Sequence, residues 1–292
     1  MADQLPLAFQ TEFDSRVEAV FQDVSNLRGT TFEKMGVVGK FVQFRRRGKG
    51  VATPHVRNSP ITPLNLGTTV ATAELTDWDA AEREDPFDLA KINWDDMSVV
   101  AQSLGMALGR RSDQIRLDAM EASSTPNTVA VDYGSVGTTT ALNVEKINRS
   151  RALLLKNGVT PMRGQWHAAI SAEALEGALN DTKIGSQDFN VLKSLYEGSL
   201  DEYSGFTFHV IADRDEGGLP LNGSGYRKCY FWDSMAVGYG EGINEGMDGR
   251  VRIDWSPDYG GWVLNGKLSA GAKVIENAGL IEVLVDESKA AE

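Results

Sequence analysis

The sequence predicts an α+β protein, and three observations carry that expectation. One long helical stretch lies near residues 95–121. Strand-like segments crowd before residue 76 and after residue 205. Between them helices and strands mix without regular βαβ alternation or a fixed repeat. With 292 residues, 41% hydrophobic and 24% charged, the chain can bury a large core as one big domain or two smaller ones.

The first element is an amphipathic helix. Phe9, Phe13, Val17, Val20, Phe21 and Val24 recur at spacings of three and four, with Glu12, Asp14, Arg16, Glu18 and Asp23 between them. Its apolar face packs either on the chain's own core or on a neighbouring subunit. Val37 to Arg45 and Gly67 to Thr76 then read as strands. The loop between them holds Pro54, Pro60, Pro63, Gly48 and Gly50 and has no periodicity. Loops beyond about 12–15 residues are uncommon in compact domains and usually functional. A two-stranded ribbon is marginal alone in water, so this one must lie on something else.

The long helix has Asn93 as a plausible N-cap, Asp95 and Asp96 at the positive end of its dipole, and an apolar stripe of Met97, Val100, Ala101, Leu104, Ala107, Leu108, Ile115 and Met120. At about 1.5 Å per residue it spans roughly 40 Å. Gly105 and Gly109 permit a bend or a close backbone approach. Asn143 then caps a helix through Lys156, Gln165 to Ile170 is strand-like, Ser171 caps a helix over AEALEGALN, and Ser186 caps QDFNVLKSLYE. Strands are expected at Gly205–Ala212, Tyr226–Trp232, MAVGYG, Arg250–Trp255, WVLNGKLSAGAKVI and Leu280–Val285.

The formal charge of -12 argues against a surface that grips nucleic acid throughout. That total hides two blocks. Lys34 to Ala73 contains no acid and seven cations, namely Lys34, Lys40, Arg45, Arg46, Arg47, Lys49 and Arg57. Glu74 to Asp96 then carries Glu74, Asp77, Asp79, Glu82, Glu84, Asp85, Asp88, Asp95 and Asp96 against Arg83 and Lys91. The run Arg45, Arg46, Arg47, Lys49 has three readings: a weak phosphate contact, a solvated face, or pairing with acids on another copy of the chain. The adjacent acidic block favours the third, since complementary charge fixes register and steers encounter.

The search for chemistry is mostly negative. His55, His167 and His209 stand far apart in sequence with no HxxxH or HExxH spacing, and Cys229 is the only cysteine, so neither a zinc site nor an internal disulfide is expected. No GxSxG elbow or GxxxxGK[ST] loop is present. Gly238, Gly240, Gly242 and Gly246 fit no GxGxxG frame and read as a flexible turn at a sheet end. The carboxylates show no spacing that marks an acid–base pair. With Asp3 at the N-terminus and no apolar run of membrane length, the chain reads as a soluble cytoplasmic product without a signal peptide, and the Asn148 and Asn222 sequons carry no weight.

The order of an arm with a helix, a two-stranded loop, a spine helix, a mixed middle and returning strands resembles the major capsid proteins of tailed bacteriophages, with the Hong Kong ninety-seven type fold. The likeness lies in RRRGKGVATPHVRNSPITPLNLG with TDWDAAEREDPFDLAKINWDD after it, in NVEKINRSRALLLKNGVTPMRGQWHAAISAEALEGALND, in LYEGSLDEYSGFTF, and in AVGYGEGINEG leading to SAGAKVIENAGLIEVLVDE. The resemblance implies an N-terminal arm over 1–37, an extended loop over 38–84, a peripheral domain from 85–142 and 263–292, and an axial domain over 143–262. It implies a non-enzymatic shell protein without cofactors. Hexamers and pentamers would enclose double-stranded DNA, contacted only weakly, in a virion assembled in the host cytoplasm. A portal and a separate scaffolding protein are expected partners, and a decoration protein is a further one. A nanocompartment or gene transfer particle shell is the alternative, with a cytoplasmic enzyme a more distant one. The loop would lie across a neighbour, with Arg45, Arg46, Arg47, Lys49 and Arg57 of one copy facing Glu74, Asp77, Asp79, Glu82, Glu84 and Asp85 of the next.

Overall fold

The computed structural model describes residues 25–55, 57–58, 60, 63–91, 96–124, 127–135, 137–159, 165–181, 202–242 and 252–289. The amphipathic segment 9–24, the expected cap Asn93, the helix proposed after Ser186, and Gly246 lie outside them. In chain order the elements are β1 (Phe32–Val37), β2 (Phe41–Arg47), β3 (Thr68–Glu74), β4 (Thr76–Glu84), the single turn α1 (Pro86–Leu89), the spine helix α2 (Asp96–Glu121), β5 (Thr128–Val129), α3 (Val144–Lys156), β6 (Trp166–Ile170) and α4 (Ala172–Asn180). There follow β7 (Glu202–Tyr203), β8 (Phe206–Val210), β9 (Arg227–Asp233), β10 (Val237–Gly242), β11 (Arg252–Ser256), β12 (Gly261–Val274) and β13 (Leu280–Val285).

Two sheets and a ribbon organise these elements. The six-stranded sheet has the order β5-β13-β9-β6-β8-β7. Its strands alternate their apolar side chains between two cores. Cys229, Phe231, Ile281 and Val283 face one way, with Ile147 and Leu154 of α3 and Ala174 and Ala178 of α4. Tyr230, Trp232 and Leu280 face the other way, with Leu27 and with Leu117 and Met120 from the C-terminal part of α2. Period-two alternation on strands covered on both faces explains why these segments read as nearly continuous apolar runs. Asn143 and Ser171 cap α3 and α4 as expected, each accepting from the backbone N–H three residues on, at 2.8 and 3.2 Å.

The second sheet is built around the 14-residue β12, with β10 and β11 along one side and β4 along the other, and with β1 parallel to β10. Tyr239, Leu268 and Ala270 form its core against Trp78, Leu108 and Ile115. The spine helix thus reaches from one sheet to the other. Two expectations change here. The strand read over Val37–Arg45 is two strands, β1 and β2, because Gly39 at φ +110° turns the chain between them. The stretch from Thr76 to Glu84, expected within the loop, is the long strand β4, paired with β12 from Trp262↔Glu84 to Ala270↔Thr76.

Candidate assembly surface

The ribbon is the antiparallel pair β2–β3, in register from Phe41↔Glu74 to Arg47↔Thr68. Alternation sorts its side chains. Val42, Phe44 and Ala73 point to the body and are buried, and with Leu75 they form a small core that Phe32, Val37 and Ile275 complete. This supplies the support that a lone hairpin lacks. The seat is cut to shape by glycine. A Cβ on Gly238 would lie 2.8 Å from the Phe44 ring, and one on Gly240 would lie 2.6 Å from Val42. The glycines read from sequence as a turn therefore sit inside β10, where they admit two side chains of the ribbon.

The same alternation divides the basic run. Arg46 shares the inward face and pairs with Glu276 of its own chain. Arg45 and Arg47 lie on the outward face and are exposed. Lys49 is exposed and donates to the Asn157 carbonyl at the end of α3, at 3.0 Å, a favourable place for a cation. Arg57 is exposed in the loop. The ribbon and its loop carry uncovered apolar side chains as well, with Phe41 52%, Val51 78%, Leu64 52% and Val70 49% exposed. Cationic and apolar side chains are thus exposed together on one projecting element.

The acidic block is divided too. Asp77 and Asp79 are exposed on β4, opposite Ser269 and Lys267 of β12. Glu82 and Glu84 point to the other side of that strand, the side of Trp78, which packs near α2. Glu74 pairs with Lys40 at 2.8 Å. Asp85 caps α1 by accepting from the Phe87 N–H. The exposed acids of this block with neither a described intrachain ion pair nor a capping role are Asp77, Asp79 and Glu82 (Glu84 is half-buried and engaged).

The structure also joins residues that sequence distance separated. His167 and His209, 42 positions apart, lie 3.2 Å apart between ring nitrogens because β6 and β8 are parallel neighbours. Burial pushes His167 down to about 4 and lowers His209. Among the described residues no group of three His, Cys, Asp or Glu could hold a metal ion, and no helix is long and apolar enough to cross a membrane. Cys229 is a buried free thiol, pushed up to about 12 by its burial.

The subunit thus combines an open ribbon on a glycine-shaped seat with a spine helix that bridges two sheets. The family model for phage capsid protein matches residues 5–287, and the chain belongs to that family. No curated protein matches. Several solved capsids share the fold. The head of Helicobacter pylori bacteriophage KHP40 superposes with a TM-score of 0.73 at 11% identity, covering 94% of this chain and 95% of that one. The capsid of cyanophage P-SCSP1u gives 0.68 at 14%, covering 98% and 95%. A GTA particle capsid gives 0.62 at 12%, covering 92% of each. The fold is the Hong Kong ninety-seven type expected from sequence, and the protein is a major capsid protein that forms a phage head shell.

Proposed function

We propose that this shell encloses double-stranded DNA and closes through heterologous contacts in which the ribbon of one subunit lies across the next. The observation that carries the contact is the outward face of the ribbon, where exposed Arg45 and Arg47 stand beside Phe41 and Val70 with no ion pair among the described residues. Their complement on the next copy is the exposed part of β4, Asp77 and Asp79 on one face and Glu82 on the other, with Arg57 extending the cationic side. Heterologous contacts of this kind propagate around a ring and close into hexamers and pentamers. Arg46 and Glu74 belong to the ribbon's own anchorage, because each has a partner within the chain.

A portal and a separate scaffolding protein complete the assembly in this reading, with a decoration protein on the outside, and the head is built in the host cytoplasm without enzymatic action by this chain. The domain division is an axial part centred on the six-stranded sheet and a peripheral part centred on β12, with 1–37 as arm. The likeness to a GTA particle capsid favours one second reading, a gene transfer particle shell. Sizing the nucleic acid extracted from purified particles separates the two.

The test of the contact is charge reversal. Arg45→Glu with Arg47→Glu leaves a monomer with unchanged thermal stability and abolishes particles in electron micrographs. Adding Asp77→Lys and Asp79→Lys restores them. Normal particles from the first variant would refute the pairing.

A further inference from the structure

The spine helix is covered unevenly. From Asp113 onward it buries Gln114, Arg116, Leu117 and Met120, whereas no residue from Met97 to Ser112 is fully buried among the described elements. Val100, Leu104 and Leu108 therefore retain apolar surface in contact with solvent. A pocket of about 460 Å³ opens beside this half, walled by Gly105, Leu108 and Gly109 of α2, by Met35 and Gly36 of β1, and by Leu268 of β12. Ser25 stands on its rim. A Cβ on Gly109 would lie 3.2 Å from the Ser25 Cβ, so the chain passes directly over that glycine. One turn earlier on α2, Gly105 is exposed, with no described atom within 4 Å of where its Cβ would be.

We propose that this groove is the docking site of the apolar face of residues 9–24 of the same chain. Position is the first argument. Those residues lead directly into Ser25, and as a helix the 16 of them would run about 24 Å, against about 18 Å from Gly109 back to Met97. Phe21 precedes Ser25 by four residues as Gly105 precedes Gly109, which sets Phe21 over the open glycine. Charge is the second. The pocket wall carries Arg28 and Lys267 against Glu241, with Arg116 already paired to Glu33, and the segment carries Glu12, Asp14, Glu18 and Asp23 against Arg16. Burial of the Val17, Val20, Phe21 and Val24 side chains against Leu104 and the solvent-facing part of Leu108 then takes apolar surface of both segments out of water. The arm becomes a brace that stiffens the N-terminal half of the spine.

The experiment is a disulfide trap in the full chain, Phe21→Cys with Gly105→Cys, on subunits kept too dilute to form particles. Native Cys229 is buried and does not compete. Oxidation should convert most chains to a faster-migrating monomer on a non-reducing gel, with the 21–105 link found by peptide mapping. Disulfide dimers would assign the groove to a neighbour's arm, and absence of any link would leave it to another partner. Either result overturns the proposal. A second variant guards against misfolding of the pair. Gly105→Trp fills the groove on an exposed position, and it should raise the rate of trypsin cleavage at Arg16 at least tenfold while thermal unfolding stays cooperative. An unchanged cleavage rate overturns the proposal as well.

Discussion

Gly238 and Gly240 show how much a missing side chain can decide. Each leaves the volume into which Phe44 or Val42 fits, and a methyl group at either would overlap atoms that belong to a small buried core. Gly240→Ala should cost about 1–3 kcal/mol, the usual range for overpacking. The check is a lower thermal midpoint together with faster proteolysis between Arg45 and Arg57. The histidine pair makes a second residue-scale prediction. An unfolded imidazole takes up its proton near 6.5, whereas burial holds folded His167 at about 4 with His209 facing it; Asp113, in the opposite sense, favours a charged His209. Between those values the unfolded chain binds more protons. Stability is therefore full above about pH 6.5 and declines as pH falls toward 4. His167→Gln should flatten that decline in urea titrations, and an equal slope in both proteins would contradict it. Lys146 illustrates the opposite solution to burial. It is fully buried, its ammonium is lowered to about 8 chiefly by desolvation, and it donates to the carbonyls of Thr140, Ala141 and Leu284 at 2.7–3.0 Å, which tie the start of α3 to β13.

Elements are joined by a polar knot on the spine helix. Asp113 is buried and accepts from the Ser25 hydroxyl at 2.8 Å, the Asn26 N–H at 2.8 Å, the Leu27 N–H at 3.2 Å and Arg214 at 3.3 Å. One turn on, buried Arg116 bonds Ser112, Thr31 and Glu33 and lies 3.7 Å from the Tyr239 ring centre. The knot fastens the N-terminal strand, the loop at Arg214 and the β12-centred sheet to a single helix. Asp113→Asn removes the charge that balances Arg214, and breaking a buried pair in this way costs about 3–5 kcal/mol. Chemical denaturation should show a loss of that size, and loss below about 1 kcal/mol would mean that water reaches the pair. The ribbon obeys the same logic with apolar groups. Its root is a core and its far end is open, so its position is fixed where it leaves the body and its outer face stays exposed.

At the scale of the whole molecule, charge is organised by strand alternation. Two blocks of opposite sign stand side by side in the sequence, yet each is divided between the two faces of its strand, and Arg46, Glu74 and Asp85 are used inside the subunit. What remains outward is Arg45, Arg47 and Arg57 against Asp77, Asp79 and Glu82. If these steer the encounter of copies, assembly slows with added salt, because at 1 M the screening length is about 3 Å. Light scattering should record that slowing while the unfolding midpoint of the monomer is unchanged.

The α+β class, the spine helix, both helix caps and the strands after residue 205 were legible because each is written locally, in a 3.6- or two-residue period and in Asn and Ser at fixed offsets. The family resemblance was legible from the order of those segments. The histidine contact was not, because a parallel pairing joins residues with no local signature. Nor was the use of Gly238 and Gly240, since a glycine chosen for turning and one chosen for close approach look alike until the approaching side chain is known. Sequence by itself determined the α+β class, the spine helix, the two capped helices, the later strands and how much charge the chain carries. Only the tertiary structure decided which charges stay exposed, because that depends on which face of each strand the core covers.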